Sequence, residues 1–269
     1  MMGSTGPSFT SGQIGDGADG GNSQDARPDP QLPLFYRSIS AVDAIRHGGK
    51  SLRRSIGFGF ARHAHAVVLN GNEFELASRH YPIVFTSQPQ IVPLALLGLK
   101  PGQNLFLRPD GEWRPSTYVP AYVRRYPFIL HTSADNQQFT LCADESSGAF
   151  EDGAERPLFI EGKPSEALRS AFNFCAAFHN DFNATREFGD QLVERGLLVP
   201  NQAEITLGSG EKLAVSGFEV IDRGRFSGLP DSAFLEWRRK GWIGWVYAHF
   251  LSQGNWPALV DMAAGTATA

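Results

Sequence analysis

From Leu32 onward, apolar residues arrive first in short strand-like runs and later at helical spacing. "SISAVDAIRHG" predicts a short helix capped by Ser40 and stopped at Gly48, and "FARHAHAVVL" predicts a strand. In "NGNEFELASRHYPIVF", Asn70 with Glu73 three residues on has the capping-box pattern, and the helix should end before Pro82. "PIVFT" and "IVPLALLGL" read as buried strands, with Pro93 demoting part of the second to an edge or bulge.

Two hairpins are expected next. "NLFLRPDGEWR" turns at Pro109-Asp110-Gly111, and "PFILHTSADNQQFTLCADE" turns at Asp135-Asn136. An acidic loop over 144–155 leads to "RPLFIEGKPS". From Glu166 to Arg195 the spacing of Leu168, Phe172, Cys175, Phe182, Phe188 and Leu192 is helical; "NDFNAT" invites a break with a new cap at Asn183, and Gly196 ends the helix. A third hairpin, "AEITLGSGEKLAVSGFEVID", precedes a helical region from near Asp231, punctuated by Gly241, Gly244 and Pro257.

Strands before helices predict an α+β fold: one domain over 32–262, with a largely antiparallel sheet covered by C-terminal helices. Residues 1–31 are rich in Gly, Ser, Asp and Pro, too poor in large apolar groups to offset the entropy of ordering. A disordered tail is expected there, and disorder again over 263–269.

Composition narrows the function classes. The net charge of −4 argues against nonspecific nucleic-acid binding, which needs a basic face. The longest apolar run, "IVPLALLGL", is far short of the ~20 residues that cross a bilayer. The first thirty residues lack a basic stretch followed by an apolar one. With only Cys142 and Cys175, a cytoplasmic chain with reduced thiols is expected, export by a non-cleaved signal remaining open.

"TYVPAYVRRYPFIL" (117–130) concentrates candidate chemistry. Its prolines disfavour a strand. Pro120 suits the first position of a short helix, and Pro127 starts the following strand. Arg124 and Arg125, flanked by Tyr122 and Tyr126, could grip a carboxylate or phosphate, or pair with acids of the 144–155 loop while the tyrosines close the core.

Other motifs fall short of a mechanism. "GDGADG" (15–20) matches a dinucleotide fingerprint but has no strand before it or helix after it, "GSGEK" (208–212) lacks P-loop spacing, and no GxSxG elbow occurs. His63 and His65, on the predicted strand, would share a face as metal ligands do, with His80 or His131 to complete a site, yet nothing requires a metal. Cys175 and His179, one helical turn apart among phenylalanines, read as core rather than as a nucleophile pair. Asp144, Glu145, Glu151, Asp152 and Glu155 read as a solvated loop. In "EWRRKGWIGWVYAHF" (236–250), Trp237, Gly241, Trp245 and His249 recur every four residues as an apolar face. That face fits a core stripe, a membrane-surface helix or a peptide-docking helix.

Together "RHYPIVF" (79–85), "LALLGL" (94–99), "NLFLRPDGEWRPSTYVPAYVRRYPFIL" (104–130), "LCADESS" (141–147), "PLFIEGKPS" (157–165) and "AHFLSQGNWPALV" (248–260) resemble the bacterial SapC family, over roughly residues 35–262. This family is named for a protein associated with a paracrystalline surface layer and is distinct from the peptide-transporter permease of the same name. The resemblance implies importance for Arg124, Arg125, Tyr126, Pro127, Asp144 and His249, without an established catalytic set. The expectation is a soluble accessory or binding protein linked to envelope or surface-layer processes. It carries no cofactor, and its partner is a protein or a small anionic ligand rather than nucleic acid. The alternative is an enzyme acting on a small anionic or peptidyl substrate around Arg124, Asp144 and His249.

Overall fold

The computed structural model describes residues 32–133, 138–153, 155–206, 210 and 212–266. The expected N-terminal tail and the Asp135-Asn136 turn lie outside the described residues. The first elements are β1 (Ile39–Ala41), α1 (Ala44–His47), β2 (Lys50–Leu52), β3 (Ala66–Val68), α2 (Phe74–Ala77), β4 (Ile83–Thr86) and β5 (Pro93–Leu96). The middle of the chain forms α3 (Ala121–Arg124), β6 (Phe128–Thr132), β7 (Phe139–Asp144), β8 (Phe150–Asp152), β9 (Phe159–Ile160), β10 (Lys163–Pro164) and α4 (Glu166–Glu194). The remainder is β11 (Leu198–Thr206), β12 (Lys212–Ile221), α5 (Arg223–Ser227), α6 (Asp231–Lys240), α7 (Trp242–Ser252) and α8 (Trp256–Thr266). The class is α+β, and every ladder among the described residues is antiparallel.

The chain divides into two compact units, each assembled from two separated stretches. Among the described residues, the first takes those of 32–56 and 125–175, the second those of 57–124 and 176–266. In the first, β1, β7 and β6 form a three-stranded sheet, β2 pairs with β8 and β9 with β10. Its core gathers Phe128, Leu141, Ala143 and Leu158 with Leu168 and Cys175 from the start of α4.

In the second unit, the strand order is β11-β12-β4-β5-β3. Phe85 of β4 packs 6.4 Å from Phe188 of α4, whose ring stands 5.6, 5.7 and 5.4 Å from Trp237, Trp242 and Trp245. These aromatics cover the sheet with the late helices, as burial of large rings favours. Gly71 fits under this layer because a Cβ there would stand 2.4 Å from the Trp245 ring.

Several local expectations are corrected. Ser40 lies within β1, opposite Ala143, and α1 is instead capped by Asp43, whose carboxylate accepts the Arg46 N–H at 2.8 Å. The strand expected over 60–69 shrinks to Ala66–Val68, leaving His63 and His65 in the preceding turn, where strand alternation does not orient them. The 104–114 hairpin is reduced to one bridge, Leu107 opposite Trp113. Arg114 Nε donates to the Leu105 carbonyl at 2.8 Å and Asn104 Oδ1 accepts the Phe106 N–H at 2.9 Å, so side chains occupy backbone groups a ladder would use.

The acidic loop contains β8, held in register by Lys50 opposite Asp152. Helix α4 is unbroken across "NDFNAT" because no residue there removes a backbone donor, and the Thr185 hydroxyl donates to the Asp181 carbonyl at 2.6 Å while accepting the Gly71 N–H at 2.8 Å. The 236–250 stripe is split in two: Gly241, at φ 77°, ends α6 before α7 begins. At the C-terminus α8 runs to Thr266, past the expected limit at 262, because Leu259 and Ala263 continue its buried face. Residues 267–269 lie outside the described residues.

Candidate functional site

The carbonyl of Pro120 accepts the N–H groups of Val123 and Arg124 at 2.9 and 3.0 Å, so this proline precedes α3 rather than opening it. The helix lasts one turn. Beyond it the Tyr126-Pro127 peptide is cis, and β6 starts at Phe128. Arg124 belongs to the second unit; Arg125 and Tyr126 belong to the first.

In the first unit, Asp144 ends β7 with no exposed surface. Its carboxylate accepts the N–H groups of Arg37 at 2.8 Å and Ser38 at 3.2 Å, and the Ser146 N–H and hydroxyl at 2.9 and 2.7 Å. Tyr126 donates its phenol at 3.2 Å. Burial, reinforced by the neighbouring carboxylate, pushes the Tyr126 phenol upward and keeps it a donor. Arg125 lays its guanidinium 5.8 Å from the Tyr36 ring centre, and the Tyr36 hydroxyl donates to the Phe128 carbonyl at 2.7 Å. Asp144, Tyr126 and Arg125 thus knit the segment before β1 to the β6–β7 hairpin.

A second buried acid, unremarked as chemistry in the sequence, lies in the second unit. Glu73 follows its capping role, accepting the Asn70 N–H at 3.0 Å, and also receives the Ala121 N–H at 2.6 Å and the Tyr118 hydroxyl at 2.8 Å. Arg124 donates to the same phenol oxygen at 3.0 Å and to the Val119 carbonyl at 2.9 Å. Burial pushes the Glu73 carboxyl above its usual range, while its hydrogen bonds and the Arg124 charge pull the other way. Tyr118 is pushed up to about 12 by burial and by the adjacent Glu73. The one local signal at Glu73 is its capping-box position three residues after Asn70; its other partners, Tyr118 and Ala121, lie more than forty positions away.

His249 is also in the second unit, fully buried beneath a groove of about 680 Å³. The groove runs between β11–β12 and the α7–α8 region, its walls including Ile205, Phe218, Val220, Trp256 and Val260. Polar groups at the groove include Asn201, Gln202, Arg223, Gln253 and Asp261. Nε2 of His249 accepts the Ile221 N–H at 3.1 Å. Burial lowers its pKa to about 4; the Ile83 backbone opposes this and the Arg223 charge adds to it. The imidazole is therefore neutral at physiological pH, with its proton on Nδ1.

The remaining candidates are dispersed. Glu145 pairs with Arg46 at 2.9 Å, Asp152 with Lys50 at 2.8 Å, Glu151 with Arg53 at 3.0 Å and Glu155 with Arg54. These acids are matched by the 46–54 segment, at exposed positions where ion pairs contribute little. Cys175 is buried and its thiol is pushed up to about 11 by burial, which leaves it protonated. His131 lies in β6 of the first unit, whereas His63, His65 and His80 are in the second. Among the described residues no group of three His, Cys, Asp or Glu is placed to hold a metal ion. The family model described as SapC matches residues 42–259. No curated protein and no solved structure matches the chain.

Proposed function

The chain belongs to the SapC family, and from that premise we propose that it is a soluble, cytoplasmic accessory or binding protein serving envelope or surface-layer processes, with no catalytic step of its own. The observation that carries this reading is the occupation of Asp144 by five hydrogen bonds from its own unit. A carboxylate so occupied holds a scaffold, and a reaction using it would have to break those bonds first. His249 fits the same reading, its one acceptor nitrogen being already taken by Ile221. Both cysteines are free and buried, in keeping with a reducing compartment.

The groove of the second unit supplies the recognition surface in this reading. Aromatic and aliphatic walls with a few amides and charges suit binding. The test is capture of partners from the native cell by the full chain and by Val260→Arg, which places a charge in the groove. The captured partner is then purified and titrated calorimetrically. Binding by the wild type that Val260→Arg removes supports the reading. Turnover of a small anionic or peptidyl substrate that Arg124→Ala abolishes without changing the melting temperature overturns it.

A further inference from the structure

One face of the second unit exposes large apolar and cationic side chains together. On α6 and α7, Leu251 is 72% exposed, Tyr247 51%, Leu235 43% and Phe234 37%. Phe234 and Tyr247 both rest on the buried Phe226, with ring centroids 6.1 and 5.9 Å from it, so the two helices present them side by side. Leu251 lies one turn beyond Tyr247 on α7, and Arg238 one turn beyond Phe234 on α6.

The charge of this region runs against that of the whole chain. Residues 222–251 carry five basic and three acidic side chains, a balance of +2 on a chain of −4. The acids are already engaged or peripheral: Asp222 caps α5, Asp231 opens α6, and Glu236 is met by Arg195 and Lys240. Arg238 and Arg239 are exposed and form no ion pair among the described residues.

We propose that this α6–α7 face docks on an anionic membrane surface. Phe234, Leu235, Tyr247 and Leu251 enter the boundary between headgroups and acyl chains, where tyrosine is at home, and Arg238 and Arg239 meet lipid phosphates. Such docking is peripheral, since no helix among the described residues is long and apolar enough to cross a membrane. It rests on residues other than the groove walls and stands apart from the function proposed above.

The test is co-sedimentation of the full chain with vesicles of phosphatidylcholine alone or mixed in equal parts with phosphatidylglycerol. Binding to the anionic vesicles is expected to exceed that to neutral ones by roughly tenfold or more, the range for two arginines near a charged surface, and to weaken with salt. Tyr247→Ser with Leu251→Ser should abolish sedimentation while the melting temperature holds, and Arg238→Glu with Arg239→Glu should erase the anionic preference. Wild type left in the supernatant with both vesicles overturns the proposal, as does equal sedimentation of wild type and both variants. Self-association in solution that the Tyr247/Leu251 pair removes also overturns it, by assigning the face to a second copy of the chain.

Discussion

His249 accepts the backbone N–H of Ile221 through Nε2 at 3.1 Å, and this bond between α7 and β12 fixes the imidazole as a neutral acceptor inside the second unit. Protonation would replace that acceptor with a donor facing a donor, in a place without solvent.

The pH dependence follows from that geometry. An unfolded histidine titrates near 6.5 and the folded one near 4, so between these values the unfolded chain binds more protons. Stability is therefore full above pH 6.5 and falls as the pH drops toward 4, by about 3 kcal/mol at about 1.4 kcal/mol per unit. Carboxylates also titrate in this range, so the measurement is the difference between wild type and His249→Gln in urea unfolding at several pH values. The wild type should lose stability more steeply; parallel curves would refute the assignment.

Asp144 is itself buried, and removing its carboxylate takes the acceptor from five part-buried hydrogen bonds at once. Asp144→Ala is expected to cost about 2–3 kcal/mol, the scale for losing hydrogen bonds to a charged acceptor. Tyr126→Phe removes one hydrogen bond of 3.2 Å and should cost about 1 kcal/mol. Calorimetric melting reads both. Equal small losses would mean that the carboxylate is not the organising group.

Glu73 offers the matching test in the second unit. Glu73→Ala leaves the Asn70 and Ala121 N–H groups without their acceptor, at a cost of about 3 kcal/mol. Tyr118→Phe should cost less, about 1 kcal/mol, because Tyr118 is only partly buried. If the tyrosine variant proves the more damaging, the phenol rather than the carboxylate anchors the 117–124 segment.

The sequence carried much of the fold because burial leaves periodic traces. The pairing within 203–222, the capping box at Asn70 and the helix stop before Gly196 all follow from local spacing or local turn chemistry. What it hid depends on partners remote in the chain. Strand β8 exists because residues 50–52 pair with it, and Asp144 acquires its role from Arg37 and Ser38, more than a hundred positions away. The division into two units is hidden for the same reason, since each combines stretches separated by the other. Candidate residues adjacent in sequence, Arg124 and Arg125, fall to different units and different neighbours: the first to Tyr118, the second to Tyr36.

The continuity of α4 gives the sharpest contrast between local pattern and structure. An asparagine at an N-cap accepts a backbone hydrogen bond, and its replacement by alanine costs about 1 kcal/mol. Inside a helix at an exposed position, the same replacement trades a poor helix former for the best and gains up to about 0.7 kcal/mol. Asn183 is exposed and lies in the interior of the 29-residue helix. Asn183→Ala should therefore raise the melting temperature slightly. Asn183→Pro should lower stability by about 3 kcal/mol or more, through the lost donor and the clash with the preceding turn. Thermal unfolding of the two variants beside wild type decides the matter: a loss of stability in Asn183→Ala would put a helix start at 183 and break the element that carries Phe188 and Leu192 into the aromatic core.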